Sequence, residues 1–185
     1  MSRQTRIILV IAGAFAVFAI AFCCVGGIGG FIYVMERNRV TDPKQAAALA
    51  SRIADFDLPA GYKIKSANPV LTTLTVMIGD DSNTHEIWIE QGTTKGLSPD
   101  TYLRNSISII TYRDVRWVAV DTRTVTIRSE TTSLTVYSGT KPDNTKYHAW
   151  ACAFTGKGGP ATVVIIGPEA TWDEAAMQAF IDSLH

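Results

Sequence analysis

The chain has 185 residues, with 17 basic and 17 acidic side chains and three cysteines, a size that fits one ordinary domain with an appendage. After Met35 the balance is 15 basic against 17 acidic residues, which argues against binding nucleic acid by bulk charge, since that takes a clustered basic excess. Only Cys152 lies outside the apolar run that holds Cys23 and Cys24, so no disulfide can staple the main domain, and zinc or thiol–imidazole chemistry has few ligands to draw on.

Residues 1–6 form a short basic tail. From Ile7 to Met35, 29 residues pass without Asp, Glu, Lys, Arg or His. About 20 apolar residues at about 1.5 Å each span a bilayer core, whereas a cleaved signal peptide has an apolar core of about 7–15. The reading is an uncleaved transmembrane signal-anchor helix over 7–35, a juxtamembrane linker over 36–40 and a soluble domain over 41–185. The lipid bilayer is then the first expected partner. Arg3 and Arg6 on one flank nearly balance Arg37, Arg39 and Lys44 on the other. A short basic tail before a first helix stays in the cytoplasm, which places the large domain outside it.

Within the run, Ala12, Ala16, Ala19, Cys23, Gly26 and Gly30 follow one another at steps of 4, 3, 4, 3 and 4, which puts them on one face of a helix. Gly26 and Gly30 make a G-x-x-x-G pair, the pattern that lets two membrane helices approach closely. This face suggests a homodimer through the anchor, or docking on a partner helix. Phe22 before Cys23 departs from the small residue that precedes a bacterial lipid-attachment cysteine.

Thr41-Asp42-Pro43 reads as a helix start, and Ala46, Leu49, Ala50, Ile53 and Phe56 continue one apolar face. Leu58-Pro59-Ala60-Gly61 ends that helix. Tyr62 begins an extended section, and Val70–Gly79 reads as a strand, with turn chemistry at Asp80-Asp81-Ser82-Asn83. His85–Gln91 alternates, with Ile87 and Ile89 on one side and Glu86, Trp88 and Glu90 on the other. Ser98-Pro99-Asp100 starts a second helix carrying Leu103, Ile107 and Ile110. Val115–Val120, Thr124–Ser129 and Ser133–Ser138 read as three strands, Tyr147–Phe154 as another, and Ala161–Ile166 as a central strand that is dry on both faces. Thr171 and Glu174 fit a capping box before a last helix with Met177, Phe180, Ile181 and Leu184 on one face. The fold class is α+β, with about three helices packed on a mainly antiparallel sheet.

The stretch "IADFDLPAGYKI" followed by a sheet, and the ending "VVIIGPEATWDEAAMQAFIDSL", resemble bacterial membrane-anchored proteins of unassigned function. The layout over Thr41 to His185 is similar to the PsbP-like α/β/α sandwich, which is shared with a Ran-binding nuclear import factor. That resemblance implies a closing helix across an antiparallel sheet and a mostly non-catalytic role. It carries no catalytic residue onto this chain, and the anchor departs from the soluble members.

No catalytic residue, metal site or cofactor emerges from the motifs. Gly156-Lys157-Gly158-Gly159 lacks the Ser/Thr and the following helix of a phosphate loop and reads as a hairpin turn. His148 and Cys152 share strand parity but stand about 13 Å apart, too far for proton transfer. Asp80 and Asp81 with Asn83 offer too few oxygens for calcium and read as a solvated turn. Tyr112, Arg113, Arg116 and Trp117, in "TYRDVRW", are residue types enriched in binding hot spots and form the candidate binding surface. The expected function is a non-catalytic binding or accessory module, held at a membrane to meet a protein partner. The alternatives are an anchored hydrolase whose site is assembled from distant residues, and a structural subunit of a membrane complex.

Overall fold

Alternation along the strands decides the layers. Ile87 and Ile89 against Glu86, Trp88 and Glu90 give one dry face, whereas the unbroken apolar run at Ala161–Ile166 needs cover on both. The computed structural model describes residues 37–70, 72–92, 112 and 114–185, and Arg39–His185 forms a compact unit. Its strands are β1 (Tyr62–Val70), β2 (Thr73–Asp80), β3 (Glu86–Gly92), β4 (Arg116–Ile127), β5 (Glu130–Thr140), β6 (Lys146–Gly156) and β7 (Gly159–Pro168). They form one sheet in the order β1-β2-β3-β7-β6-β5-β4, with every pair antiparallel. β7 is central, as its two dry faces require.

Two α-helices, α1 (Pro43–Ala50) and α2 (Glu174–Ser183), complete the unit, with a 3₁₀ turn at Glu169–Thr171 between β7 and α2. The Asp42 side chain caps α1 by accepting from Gln45 N at 2.9 Å, with Pro43 at the first turn. Ala46 and Ala50 of α1 and Met177, Phe180 and Ile181 of α2 share one core with Val76, Ile78, Ile87, Ile89, Leu134, Trp150, Val163 and Ile165. The opposite sheet face buries Tyr137, Ala149, Ala151, Val164 and Ile166 with Tyr112 and Val115, and Trp88, Trp117 and Tyr147 pack beside them. Arg123 ties β4 to α2: it lies 5.2 Å over the Trp150 ring and donates to Glu174 Oε1 at 2.6 Å.

Four local expectations differ from the structure. The first helix ends at Ala50, and Ile53 and Phe56 reach the core from the turn and loop that follow. Val70–Gly79 is not one strand, because the chain reverses after Val70 and β1 pairs back along β2. The expected strands at Val115–Val120 and Thr124–Ser129 are a single strand, β4. Its register against β5 jumps between Ala119 and Asp121, a bulge that takes up one residue. That extra residue puts Val118 and Val125 on the same face despite their odd spacing, which imitates a strand break. Finally, Asp173 and not Thr171 caps α2, accepting from Ala176 N at 3.0 Å, because the 3₁₀ turn holds Thr171 outside the helix.

The expected helix beginning at Ser98-Pro99-Asp100 lies outside the described residues. So do the run from Ile7 to Met35 and its small-residue face at Ala12, Ala16, Ala19, Cys23, Gly26 and Gly30. Among the described residues no helix is long and apolar enough to cross a membrane.

Phe180 is buried and meets Phe56 edge-to-face at 5.6 Å. Phe180→Ala is expected to cost about 3–5 kcal/mol, seen as a lower urea midpoint at unchanged slope.

Candidate functional site

Strand β4 is the last in the sheet, and its first half, Arg116 to Thr122, is exposed apart from Trp117. Val118 and Val120 stand 53% and 57% exposed, which is unusual for β-branched residues on a sheet edge. They line an open groove of about 670 Å³ with Asp114, Arg116, Ser138, Thr140, Lys141, Pro142 and Asn144. Lys141 borders the groove, but its ammonium is directed to Tyr147 on the other sheet face, donating to the hydroxyl at 3.0 Å and lying 4.7 Å over that ring.

The four residues of the candidate binding surface separate. Arg116 is exposed and lines the groove. Tyr112 is 3% exposed and packs edge-to-face on Tyr147 at 5.7 Å, on the sheet face away from the helices. Burial is the main cause that raises its hydroxyl above the ordinary tyrosine range, with Glu86 adding to it. The Trp117 ring packs against Gly139, where a Cβ would stand 2.5 Å from it. Arg113 lies outside the described residues.

A second polar constellation sits at the end of the sheet where β2, β3 and β7 meet. The turn at Asp80–His85 is not simply solvated. Asp80 Oδ1 accepts from Thr84 N at 2.9 Å, and Oδ2 accepts from Ser82 Oγ at 2.6 Å and Thr84 Oγ1 at 2.9 Å. His85 Nδ1 stands 3.1 Å from the same Oδ2, and its Nε2 stands 3.2 Å from Thr171 Oγ1. Burial opposes ionisation of Asp80, but the hydrogen bonds from Ser82, His85 and Thr84 outweigh it and hold the carboxyl well below the usual range. The His85 ring lies against Gly167, where any Cβ would come within 2.2 Å of Cδ2. Tyr62 borders the ring at 6.5 Å, and its hydroxyl is pushed up to about 12 by burial and by the charges of Asp80 and Asp173.

The other sequence candidates have plain geometric roles. Cys152 is fully buried, and burial pushes its thiol up to about 12, so it carries no thiolate at neutral pH. His148 meets Trp172 at 5.6 Å with the rings tilted by 45°. Lys157 and Gly158 turn the β6–β7 hairpin, and Gly158 N donates to Gln91 Oε1 at 2.9 Å. Among the described residues no three His, Cys, Asp or Glu side chains come together to hold a metal ion.

Sequence reasoning missed the link between His85 and Thr171, which are 86 residues apart. The pairing of Asp80 with His85 was within reach, because the two flank a four-residue turn between strands and therefore face each other. Thr171 carried no comparable signal, since it was also a plausible helix cap.

No family model matches the chain, and no curated relative matches it. Among solved structures, the chain is similar to cyanobacterial PsbP (CyanoP) from Synechocystis sp. PCC 6803, at 14% identity over 80% of this chain and 90% of that one, with a TM-score of 0.44. That is a coarse likeness in fold and bears on nothing else.

The depressed pKa of Asp80 has a signed consequence. Its folded value lies below the unfolded value of about 3.9, so its contribution is complete above that pH and is lost as pH falls through the folded value. Asp80→Asn is expected to lower the urea midpoint at neutral pH, with the gap from the parent protein closing as pH falls below about 3.9. A gap that stays constant into strong acid would contradict this.

Proposed function

We propose that this chain is a binding or accessory module anchored in a membrane by residues 7–35, with the domain outside the cytoplasm. The groove beside β4 receives an extended segment of a protein partner. The observation that carries the binding reading is the outer half of β4. It presents two exposed valines, a basic side chain at Arg116 and a backbone edge that no described strand pairs with. An extended peptide can add to such an edge through main-chain hydrogen bonds, while alternate side chains enter the groove. Arg116 favours an acidic or carboxylate-bearing segment. The anchor reading rests on the uncharged run from Ile7 to Met35, and the small-residue face from Ala12 to Gly30 supports pairing of two anchors.

A photo-crosslinking residue placed at Val118 is expected to capture the partner in detergent extracts, and one placed at the exposed Ser133 is not. With the crosslinking residue kept at position 118, Val120→Asp should reduce capture about tenfold, equivalent to about 1.4 kcal/mol. Equal capture from both positions would remove the groove from the reading. For the anchor, alkaline washing of membranes should leave the full chain in the pellet and release a version lacking 7–35; release of the full chain would refute it.

A further inference from the structure

Carboxylate, imidazole and hydroxyl stand in line at Asp80, His85 and Thr171, with Nδ1 toward the carboxylate and Nε2 toward the hydroxyl. This is the order in which a nucleophile, its base and the group that orients the base are arranged in acyl-transfer enzymes. The proton positions follow from the partners. Asp80 is ionised and can only accept, so the nitrogen facing it, Nδ1, carries the hydrogen. In the neutral ring Nε2 then has a lone pair, which can accept from the Thr171 hydroxyl. Thr84 Oγ1, also 3.1 Å from Nδ1, lies 2.9 Å from Asp80 Oδ2 and spends its own proton there, which agrees with the same tautomer.

Exposure divides the three in a useful way. His85 is 8% exposed and its ring is wedged against Gly167, so it is held in place, whereas Thr171 is exposed at the end of the 3₁₀ turn. Aromatic side chains stand at the neighbouring positions. Trp172 follows Thr171 and contacts His148 and Trp150, each at 5.6 Å, and Tyr62 borders His85.

We infer that Thr171 Oγ1 is a nucleophile for acyl transfer from esters with an apolar acyl group, with His85 as general base and Asp80 as the positioning residue. The oxygen of Thr171 bonds to the ester carbonyl carbon as its proton passes to His85 Nε2. The carbon–oxygen bond to the alcohol then breaks, and the departing oxygen takes that proton. Water attacks the acyl-threonine, giving a proton to His85 Nε2, which returns it to Thr171 Oγ1 as the carboxylic acid leaves. No metal, oxidant or further reactant is required. The site lies on different residues from the β4 groove, so it stands or falls independently of partner binding.

The test uses the full chain in detergent with p-nitrophenyl butyrate, reading the acylated residue by peptide mass spectrometry and the rate by nitrophenolate release. Acylation is expected on Thr171, absent in Thr171→Val and restored in Thr171→Ser. His85→Gln should slow it by roughly 10², the low end of general-base effects. For Asp80, ¹⁵N shifts of the His85 ring should report hydrogen on Nδ1 in the parent chain and on Nε2 in Asp80→Asn, a change that loss of stability alone would not produce. Circular dichroism checks each variant for folding. If His85→Gln does not fold, the Thr171 pair and the parent tautomer still decide the matter. A parent chain with no acyl group on Thr171, a His85→Gln variant acylated at the parent rate, or hydrogen on Nε2 in the parent would each overturn the assignment.

Discussion

Strand β7 sends Val163 and Ile165 into one core and Val164 and Ile166 into the other, and all four are almost fully buried. A strand dry on both faces must have hydrogen-bonded neighbours on each side and a cover over each face, since unpaired backbone groups and exposed branched side chains would both cost stability. β3 and β6 supply the neighbours. The chain leaving β7 supplies part of the cover directly, turning through Glu169–Thr171 into α2 so that Met177, Phe180 and Ile181 fall back on Val163 and Ile165. The rest of the architecture follows outward from this strand, with β1 and β4 left as the two margins of the sheet.

The same constraint positions the functional candidates. The end of β7 carries Gly167, where a side chain would collide with the His85 ring. The residues just beyond it carry Thr171 to the other ring nitrogen. Cross-strand pairs then lead from Gly167 to His148, from His148 to Ser138 and from Ser138 to Val118. The imidazole and the β4 groove therefore lie along one row at one end of the sheet, about three strand spacings or roughly 14 Å apart. One is built where packing is tight, the other where the sheet runs out of neighbours.

Much of the fold was legible in the residues. The helix start at Thr41-Asp42-Pro43, the alternation of Ile87 and Ile89, the two-sided apolar run of β7 and the face of Met177, Phe180, Ile181 and Leu184 are local patterns with a local physical cause, and the structure agrees with each. The misreadings came where one residue altered a period. At β4 the bulge between Ala119 and Asp121 shifted the parity and made one strand look like two. At the last helix two acceptable caps, Thr171 and Asp173, lay two residues apart, and the 3₁₀ turn chose between them. Of the candidate site, Arg116 was named for its residue type and does line the groove, whereas Tyr112, of an equally suitable type, is buried on the opposite face. Residue type does not say which face a side chain takes.

By itself the sequence determined that β3, β6 and β7 extend, that β7 lies at the centre and which face of α2 is dry, because those depend on periodicity within a few residues. Only the tertiary structure decided that β4 is an edge, that Val118 and Val120 remain exposed, and that Thr171 leaves its place before a helix to meet an imidazole 86 residues away. Those outcomes depend on strand order and on close approach at Gly167. Such contacts between distant residues are set when the layers pack, and no local pattern in the chain encodes them.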